Sequence, residues 1–477
     1  MPQRLFAAVF LVAIGLRVAL CLVNAEANDD HMTPISMIRE TGRLPVRADC
    51  PECFQPKLFH AAAAGVLEIL RLPRGSGAVR AVQALNLLAG VWTLWVLSLF
   101  LNKLAATPEQ RLLAFALAAF NPYLIAAHAQ ASNDAFVILF STLALQQLFL
   151  YFGDERERPR RLAAVTACAV FAALSKGSGW ALFLGIAAAL FGDAYFAPRG
   201  ERGRRVRWLR AVAFAAVFLL VVPFFGQYAY NYRAYGNPFI TNVEPDELPG
   251  LFEETYPPRP GIVSIARSYF TFDLVGLLER PAINTSDMLC VAGDRDACAE
   301  IRGARDGREE LRAPRHQTSF WTVLYGTTHS LNYYQWPKSW RSRSPASAAL
   351  ARATLAAALF PTAVFVIGFF AGALALARSA RRRRPRSPPS PRFLGVFFST
   401  AFIAFLIAYT LTHRDFSAIK AIYIFPALPC FLAVFVEGAD VCSRRRGAKR
   451  ILQASVAVLC AFYAADVASV IARLIST

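Results

Sequence analysis

No part of this chain is polar enough and long enough to form a detached soluble domain, no segment repeats, and lysine is scarce. Only six of the 51 basic residues are lysine. Each absence excludes something. A soluble fold of 477 residues would have too little polar sequence to cover it, since 56% of the residues are hydrophobic and the mean hydropathy is +0.39. The lack of a repeat argues against the inverted-repeat plan of many secondary transporters. The scarcity of lysine makes arginine the default cation, so the position of each lysine is informative. No small-residue cleavage site follows the first apolar run convincingly, although Asn24-Ala25-Glu26-Ala27 comes close, so that run is read as retained.

What the chain has in quantity is apolar runs. A helix crosses the hydrocarbon core with about 17–25 apolar residues. Eleven such spans are expected, near 5–24, 79–101, 111–128, 133–152, 162–175, 179–197, 211–227, 351–376, 393–411, 420–437 and 451–473. The net charge of +19 would suit nucleic acid, but its distribution points elsewhere. Basic clusters at Arg156–Arg161, Arg199–Arg210, Arg378–Arg392 and Arg444–Arg450 fall on alternate connections, which is the positive-inside pattern. The intervening short loops hold almost no basic residue: 128–132 has no Lys or Arg, and 175–179 has only Lys176. Nucleic acid is therefore not an expected partner.

The expected architecture is an all-α polytopic membrane protein of about eleven spans, with its N-terminus cytoplasmic and its C-terminus outside. Residues 1–477 form one integral membrane domain. Its first outside loop is 25–78, a larger outside segment runs over 228–350, and a basic, proline-containing cytoplasmic linker covers 377–392.

Asp29 and Asp30 stand just past the first span, in Asn28-Asp29-Asp30-His31. Ionised groups beside hydrocarbon are costly unless paired or hydrated, so an adjacent acidic pair there reads either as a functional site or as an acidic marker of the outside face. Thr33-Pro34 offers a helix cap followed by proline, Ile35 and Ile38 share a face, and Gly42 supplies a stop. A second helix is expected from Pro56 to about Leu70. Two such helices lying at the membrane surface, apolar side down, would form a shelf beside the acidic pair. Of the lysines, Lys57 is on this shelf, Lys176 opens the short loop after the fifth span, Lys338 lies in the large outside segment, and Lys420 begins the tenth span. A compact ammonium suits a phosphate, and it equally suits snorkelling at a boundary. Asp134, in Ser132-Asn133-Asp134, is placed either to cap the fourth span or to position a sugar. Arg17, inside the first span, is expected to find an ion pair or backbone carbonyls. Cys50, Cys53, Cys290 and Cys298 fall outside, where disulfides form; two local bridges or two bridges between the outside segments both fit.

Four stretches resemble the C-type superfamily of membrane glycosyltransferases, in the branch of protein O-mannosyltransferases and aminoarabinose transferases. Asp29-Asp30 is similar to that branch's Asp-Glu pair, and Gln55-Pro56-Lys57-Leu58 to its His-Pro-Pro-Leu stretch. Tyr235-Gly236-Asn237-Pro238 resembles the turn that opens its large outside segment. Lys420-Ala-Ile-Tyr423-Ile-Phe-Pro426-Ala-Leu-Pro429 resembles its late Lys-Ala-Arg-Tyr-Leu-Leu-Pro segment. Asn121-Pro122 and Ser132-Asn133-Asp134 also fit. This chain departs in Asp30, Gln55, Lys57 and Ile422, and its cap has no repeat module of the eukaryotic O-mannosyltransferases.

The resemblance implies a polyprenyl-phosphate-linked sugar donor, a protein, lipid or glycan hydroxyl as acceptor, and inverting transfer of a hexose or pentose on the extracytoplasmic face. It makes Asp29 the general base with Asp30 beside it, a role contributing on the order of 10²–10⁴-fold. Lys57, Lys176, Lys420, His413 and Arg414 become candidates for the donor phosphate, and Asp134, His31 and Gln55 for positioning sugar or acceptor. No metal or other cofactor is assigned. Asp29, Asp30, His31 and Asp134 nonetheless carry oxygen and nitrogen donors suited to a divalent cation. The arginine bias points to a bacterial plasma (inner) membrane and a role in the cell envelope. The alternative is a transporter or flippase for a lipid-linked or small polar substrate.

Overall fold

The computed structural model describes residues 2–27, 30–105, 107–153, 157–195, 199–221, 227–240, 268–279, 281, 319–331, 340, 344–381, 391–413 and 419–476. The described residues are helical or irregular, with no strand among them. Among the described residues, each of the eleven apolar intervals holds a helix. Seven are long and apolar enough to cross a membrane, or eight if one bent pair counts as a single span. The first four spanning intervals hold α1 (Pro2–Val23), α4 (Ser76–Leu104), the bent pair α5 (Pro108–Phe120) and α6 (Pro122–Ala129), and α7 (Asp134–Gly153). Between α1 and α4 lie α2 (Met32–Thr41) and α3 (Leu58–Ile69). Next come α8 (Arg158–Ser175), α9 (Gly179–Tyr195), α10 (Arg199–Val221) and α11 (Tyr228–Tyr235). After them are the short α12 (Leu274–Glu279) and α13 (Phe320–His329), then α14 (Pro345–Arg381), α15 (Pro391–His413), α16 (Leu428–Ser443) and α17 (Arg446–Ser476).

Local chemistry accounts for the breaks. Thr107 and Gln110 form a capping box around Pro108, with bonds of 3.2 and 3.1 Å, and so start α5. Pro122 has no N–H to continue that helix, so the chain turns by 51° and restarts with the Asn121 side chain accepting from Leu124 N at 2.9 Å. Arg17 braces the bend from inside the bundle. Its guanidinium donates to Ala119 O at 2.8 Å, to Ala13 O at 2.9 Å and to His128 Nδ1 at 3.2 Å. The expected carbonyl contact is thus made, and it ties α1 to both halves of the bent pair.

α14 and α16 approach backbone to backbone. A Cβ added at Gly438 would lie 1.9 Å from Val364 O, and one added at Gly368 would lie 2.0 Å from Val434 O. Small residues permit such contact where lipid supplies no hydrophobic drive between helices. α7 packs along α8, and α8 along α9, bringing the N-terminal end of α7 beside the C-terminal end of α8.

The segment between α1 and α4 departs from expectation at the start of α2. α2 begins at Met32 with His31 as its boundary residue, not at the Thr33-Pro34 step, because the Thr33 hydroxyl is turned to Asp30. Ile35, on the apolar face of α2, is fully buried in a cluster with Phe59, Ala63, Ala78 and Val82. Gly42 ends α2 as expected, at φ +67° in the left-handed region that glycine tolerates.

Candidate functional site

The chain leaves α1 under tight control. Asn24 is fully buried, and both of its side-chain heteroatoms are engaged: Nδ2 donates to Glu26 O at 3.1 Å and Ala129 O at 3.2 Å. Its Oδ1 accepts from Glu26 N at 3.3 Å and from Trp340 Nε1 at 3.2 Å. Gln83, from α4, adds a bond to Glu26 O at 3.1 Å. Four separate segments therefore fix the strand of chain that leads to the acidic pair. Asp29 itself lies outside the described residues. Asp30 is exposed and accepts from Thr33 Oγ1 at 2.6 Å. His31 is buried, with Nδ1 3.1 Å from His60 Nε2.

The second component is the turn between α6 and α7. Asn86, buried on α4, holds this turn by donating to Gln130 O and Ser132 O, each at 2.6 Å. Asn133 then joins two loops: its Nδ2 donates to Gln55 Oε1 at 3.2 Å and to Ser175 O at 3.0 Å. The next residue along each strand completes the site, with Lys176 Nζ ion-paired to Asp134 Oδ1. The lysine ammonium also sits over the Tyr423 ring, 5.5 Å from its centroid. Tyr423 closes a 3₁₀ turn, Ala421–Tyr423, in which its N–H donates to Lys420 O at 3.1 Å. Lys176 and Asp134 are the partly accessible members, with 12% and 14% of their side chains exposed.

Gln55, Asp134, Lys176 and the Lys420–Tyr423 turn are thus brought together from four stretches of sequence. Lys57 is placed differently. It is fully buried and donates to Cys53 O at 2.6 Å and to Gln55 O. Burial pushes its amine down to about 7, against the opposing pull of Glu52 and Asp49. Asp49 is held below the usual carboxylate range, chiefly by the Arg43 guanidinium bonded to it at 2.8 Å. His413 is the last residue of α15, while Arg414, Lys338, Cys290 and Cys298 lie outside the described residues. Cys50 and Cys53 form a local disulfide.

Among the described residues no three His, Cys, Asp or Glu side chains converge, and Asp29, one of the four expected donors, lies outside them. The Asp134 carboxylate takes the Lys176 ammonium, and His31 turns to His60.

Sequence reading missed Asn24, Asn86 and the ring of Tyr423. The amides had a visible signal: each interrupts or ends an apolar run, where a polar side chain needs a reason. The role of Tyr423 depends on a contact with a residue far away in sequence.

No protein-family model matches the sequence, and no curated protein matches it. Among solved structures, the chain is similar to an oligosaccharyltransferase of Archaeoglobus fulgidus in complex with zinc and sulfate. The TM-score is 0.51 at 16% identity, covering 96% of this chain and 53% of that one. It is also similar to the archaeal oligosaccharyltransferase AglB of Archaeoglobus fulgidus, in complex with an inhibitory peptide and a dolichol-phosphate. There the TM-score is 0.52 at 13% identity, over 98% and 56% of the two chains. The chain spans about half the length of these structures. ArnT of Cupriavidus metallidurans, bound to undecaprenyl phosphate, aligns at a TM-score of 0.36 and 15% identity over 93% and 80%, too low to carry an argument. At these identities the likeness shows the fold alone: this is a polytopic helical protein with the fold seen in those two oligosaccharyltransferase structures.

Proposed function

We propose that this protein is a membrane glycosyltransferase that moves a sugar from a polyprenyl-phosphate donor to an acceptor hydroxyl on the extracytoplasmic face of a bacterial plasma membrane. The observation that carries the reading is the Asp134–Lys176 pair. A partly accessible ammonium is aimed by a carboxylate and an aromatic ring, on the same outer turn that reaches Gln55 in the first outside loop. In this proposal all eleven apolar intervals cross the membrane, the basic connections lie inside, and α2 and α3 form a shelf at the outer surface. The exposed Ile69 and Leu70 at the end of α3 are its lipid-facing edge.

The chemistry follows from the charges that change. The acceptor hydroxyl oxygen attacks the sugar carbon from the face opposite the phosphate, and its proton passes to the Asp29 carboxylate. The carbon–oxygen bond to the phosphate breaks, and configuration at the carbon inverts. The departing polyprenyl phosphate gains one negative charge, which Lys176 and Lys420 stabilise. Fixed cations where charge develops contribute on the order of 10²–10³-fold per group in such sites. Asp30, bonded to Thr33, fixes the start of α2 beside the base. Asp134 keeps the Lys176 ammonium oriented until the phosphate arrives.

Asp29→Asn tests the reading. Glycoconjugates and lipid-linked sugars of host cells are compared by mass spectrometry with the wild-type protein, with the variant, and without either. The expected result is a variant that inserts normally while its cells match those lacking the protein. Near-normal transfer by a well-expressed Asp29→Asn variant would sink the assignment.

A further inference from the structure

The site is held from behind by a buried amine. Cys50 and Cys53 are joined by a disulfide, and Cys53 N donates to Cys50 O at 3.0 Å, closing the turn Cys50-Pro51-Glu52-Cys53. Lys57 lies beneath that turn with none of its surface exposed. Its ammonium does not face outward, where a lipid phosphate would approach. It donates inward, to Cys53 O at 2.6 Å and to Gln55 O. A buried amine placed on two carbonyls fixes both, because breaking either bond strands a polar group away from water. The backbone of Gln55 is thereby held at its carbonyl by Lys57, and its N–H donates to Glu52 O at 3.3 Å. Its side chain is pinned as well: Nε2 donates to Glu52 Oε2 at 3.2 Å, while Oε1 accepts from Asn133 Nδ2 at 3.2 Å.

We propose that Lys57 is a positioning residue. With the Cys50–Cys53 disulfide it fixes Gln55, and Gln55 holds Asn133 and hence the Asp134–Lys176 pair. The disulfide and the lysine act as one staple between the first outside loop and the α6–α7 turn. This replaces a phosphate-binding role for Lys57, and it does not depend on the transfer reaction, since the test reads backbone motion and not product.

Hydrogen exchange on the purified full-length protein, without ligand, reads the staple directly. In Lys57→Met the amides of residues 131–137 are expected to exchange about tenfold faster than in the wild type. The amides of α16 remain unchanged as a control for the fold. Gln55→Ala should produce the same increase, and combining the two should add nothing further, because both break one chain of contacts. The paired variant Cys50→Ala/Cys53→Ala should raise exchange at 131–137 as well. It also stands in for Lys57→Met should that variant fail to fold. Faster exchange confined to residues 43–60, with 131–137 unchanged, would overturn the proposal. So would a Lys57→Met variant whose exchange matches wild type but whose binding of added undecaprenyl phosphate falls, since that result makes Lys57 a phosphate ligand.

Discussion

The two ends of α7 each carry an acid, a base and a tyrosine, and they are built to opposite purposes. At one end Asp134 pairs with Lys176 over the ring of Tyr423. At the other, 17 residues and roughly 26 Å away along the helix, Asp193 accepts from Tyr151 OH at 3.0 Å and from Arg205 at 2.8 Å. Arg205 continues to Glu201 at 3.1 Å, and Arg158 lies 5.6 Å from the centroid of the Tyr151 ring. This second cluster joins α7, α8, α9 and α10 through planar, multidentate arginines and keeps only 5% of the Asp193 side chain exposed. The first uses the compact charge of lysine and leaves both partners within reach of solvent. A lock shares its bonds widely and is sealed. A binding group is oriented by a few bonds and left accessible.

Removing the cation at each end should separate these purposes. Lys176→Met is expected to lower sugar transfer about 10²–10³-fold while leaving thermal stability near wild type, because a partly exposed Asp134 can hydrate. Steady-state transfer together with a melting curve in detergent checks both halves, and a large loss of stability would make the outer pair a lock too. Arg205→Met should do the reverse. Stranding the buried Asp193 should cost about 3 kcal/mol of stability, with transfer per folded molecule unchanged. Urea or thermal unfolding measures the first quantity, and active-site-normalised rates measure the second. Smaller effects should follow from exchanging the two cations. Lys176→Arg should keep transfer within about tenfold of wild type, because charge is retained and only its shape changes. Arg205→Lys should recover less than half of the stability lost in Arg205→Met, since an ammonium cannot reach Asp193 and Glu201 in the same fork.

The same contrast explains what could be read from the sequence. The helices follow from the apolar runs: each interval marked by composition holds a helix among the described residues, and seven or eight of these are long and apolar enough to cross a membrane. Glycine announced the stop at Gly42, whereas the 51° break at Pro122 falls inside the interval 111–128, which composition reads as one span. Lys176 and Asp134 were legible because charged groups on short connections between apolar runs are rare in such a chain, and Gln55 through the resemblance of Gln55-Pro56-Lys57-Leu58. What could not be read were the partners. Nothing in the spacing of Asn133 and Gln55 foretells their bond, or that Lys57 would turn inward to carbonyls two and four residues earlier. Thr33 was read as a cap on local pattern alone, and the neighbouring Asp30 took its hydroxyl instead. Side-chain amides and lysines have several competing partners, and the choice among them is made by tertiary packing.

The contrast extends to pH. The end of α7 locked by arginine stays charged throughout the physiological range, since guanidinium does not titrate there. The outer end rests on Lys57, whose amine is lowered by burial to about 7 from the ordinary 10.5. A group with a depressed folded pKa contributes its full stability above the unfolded value and loses it as pH falls through the folded one. Between about pH 7 and 10.5 the unfolded chain binds the extra proton, so this group makes the folded state more stable as pH rises. The slope cannot exceed about 1.4 kcal/mol per pH unit. Lys57→Met has no such proton. The melting temperature of the wild type relative to Lys57→Met should therefore climb between pH 7 and pH 9, whereas that of the wild type relative to Arg205→Met should stay level. A wild-type advantage over Lys57→Met that shrinks with rising pH would mean the ammonium is held charged by a partner, and the outer end would then be a second ionic lock.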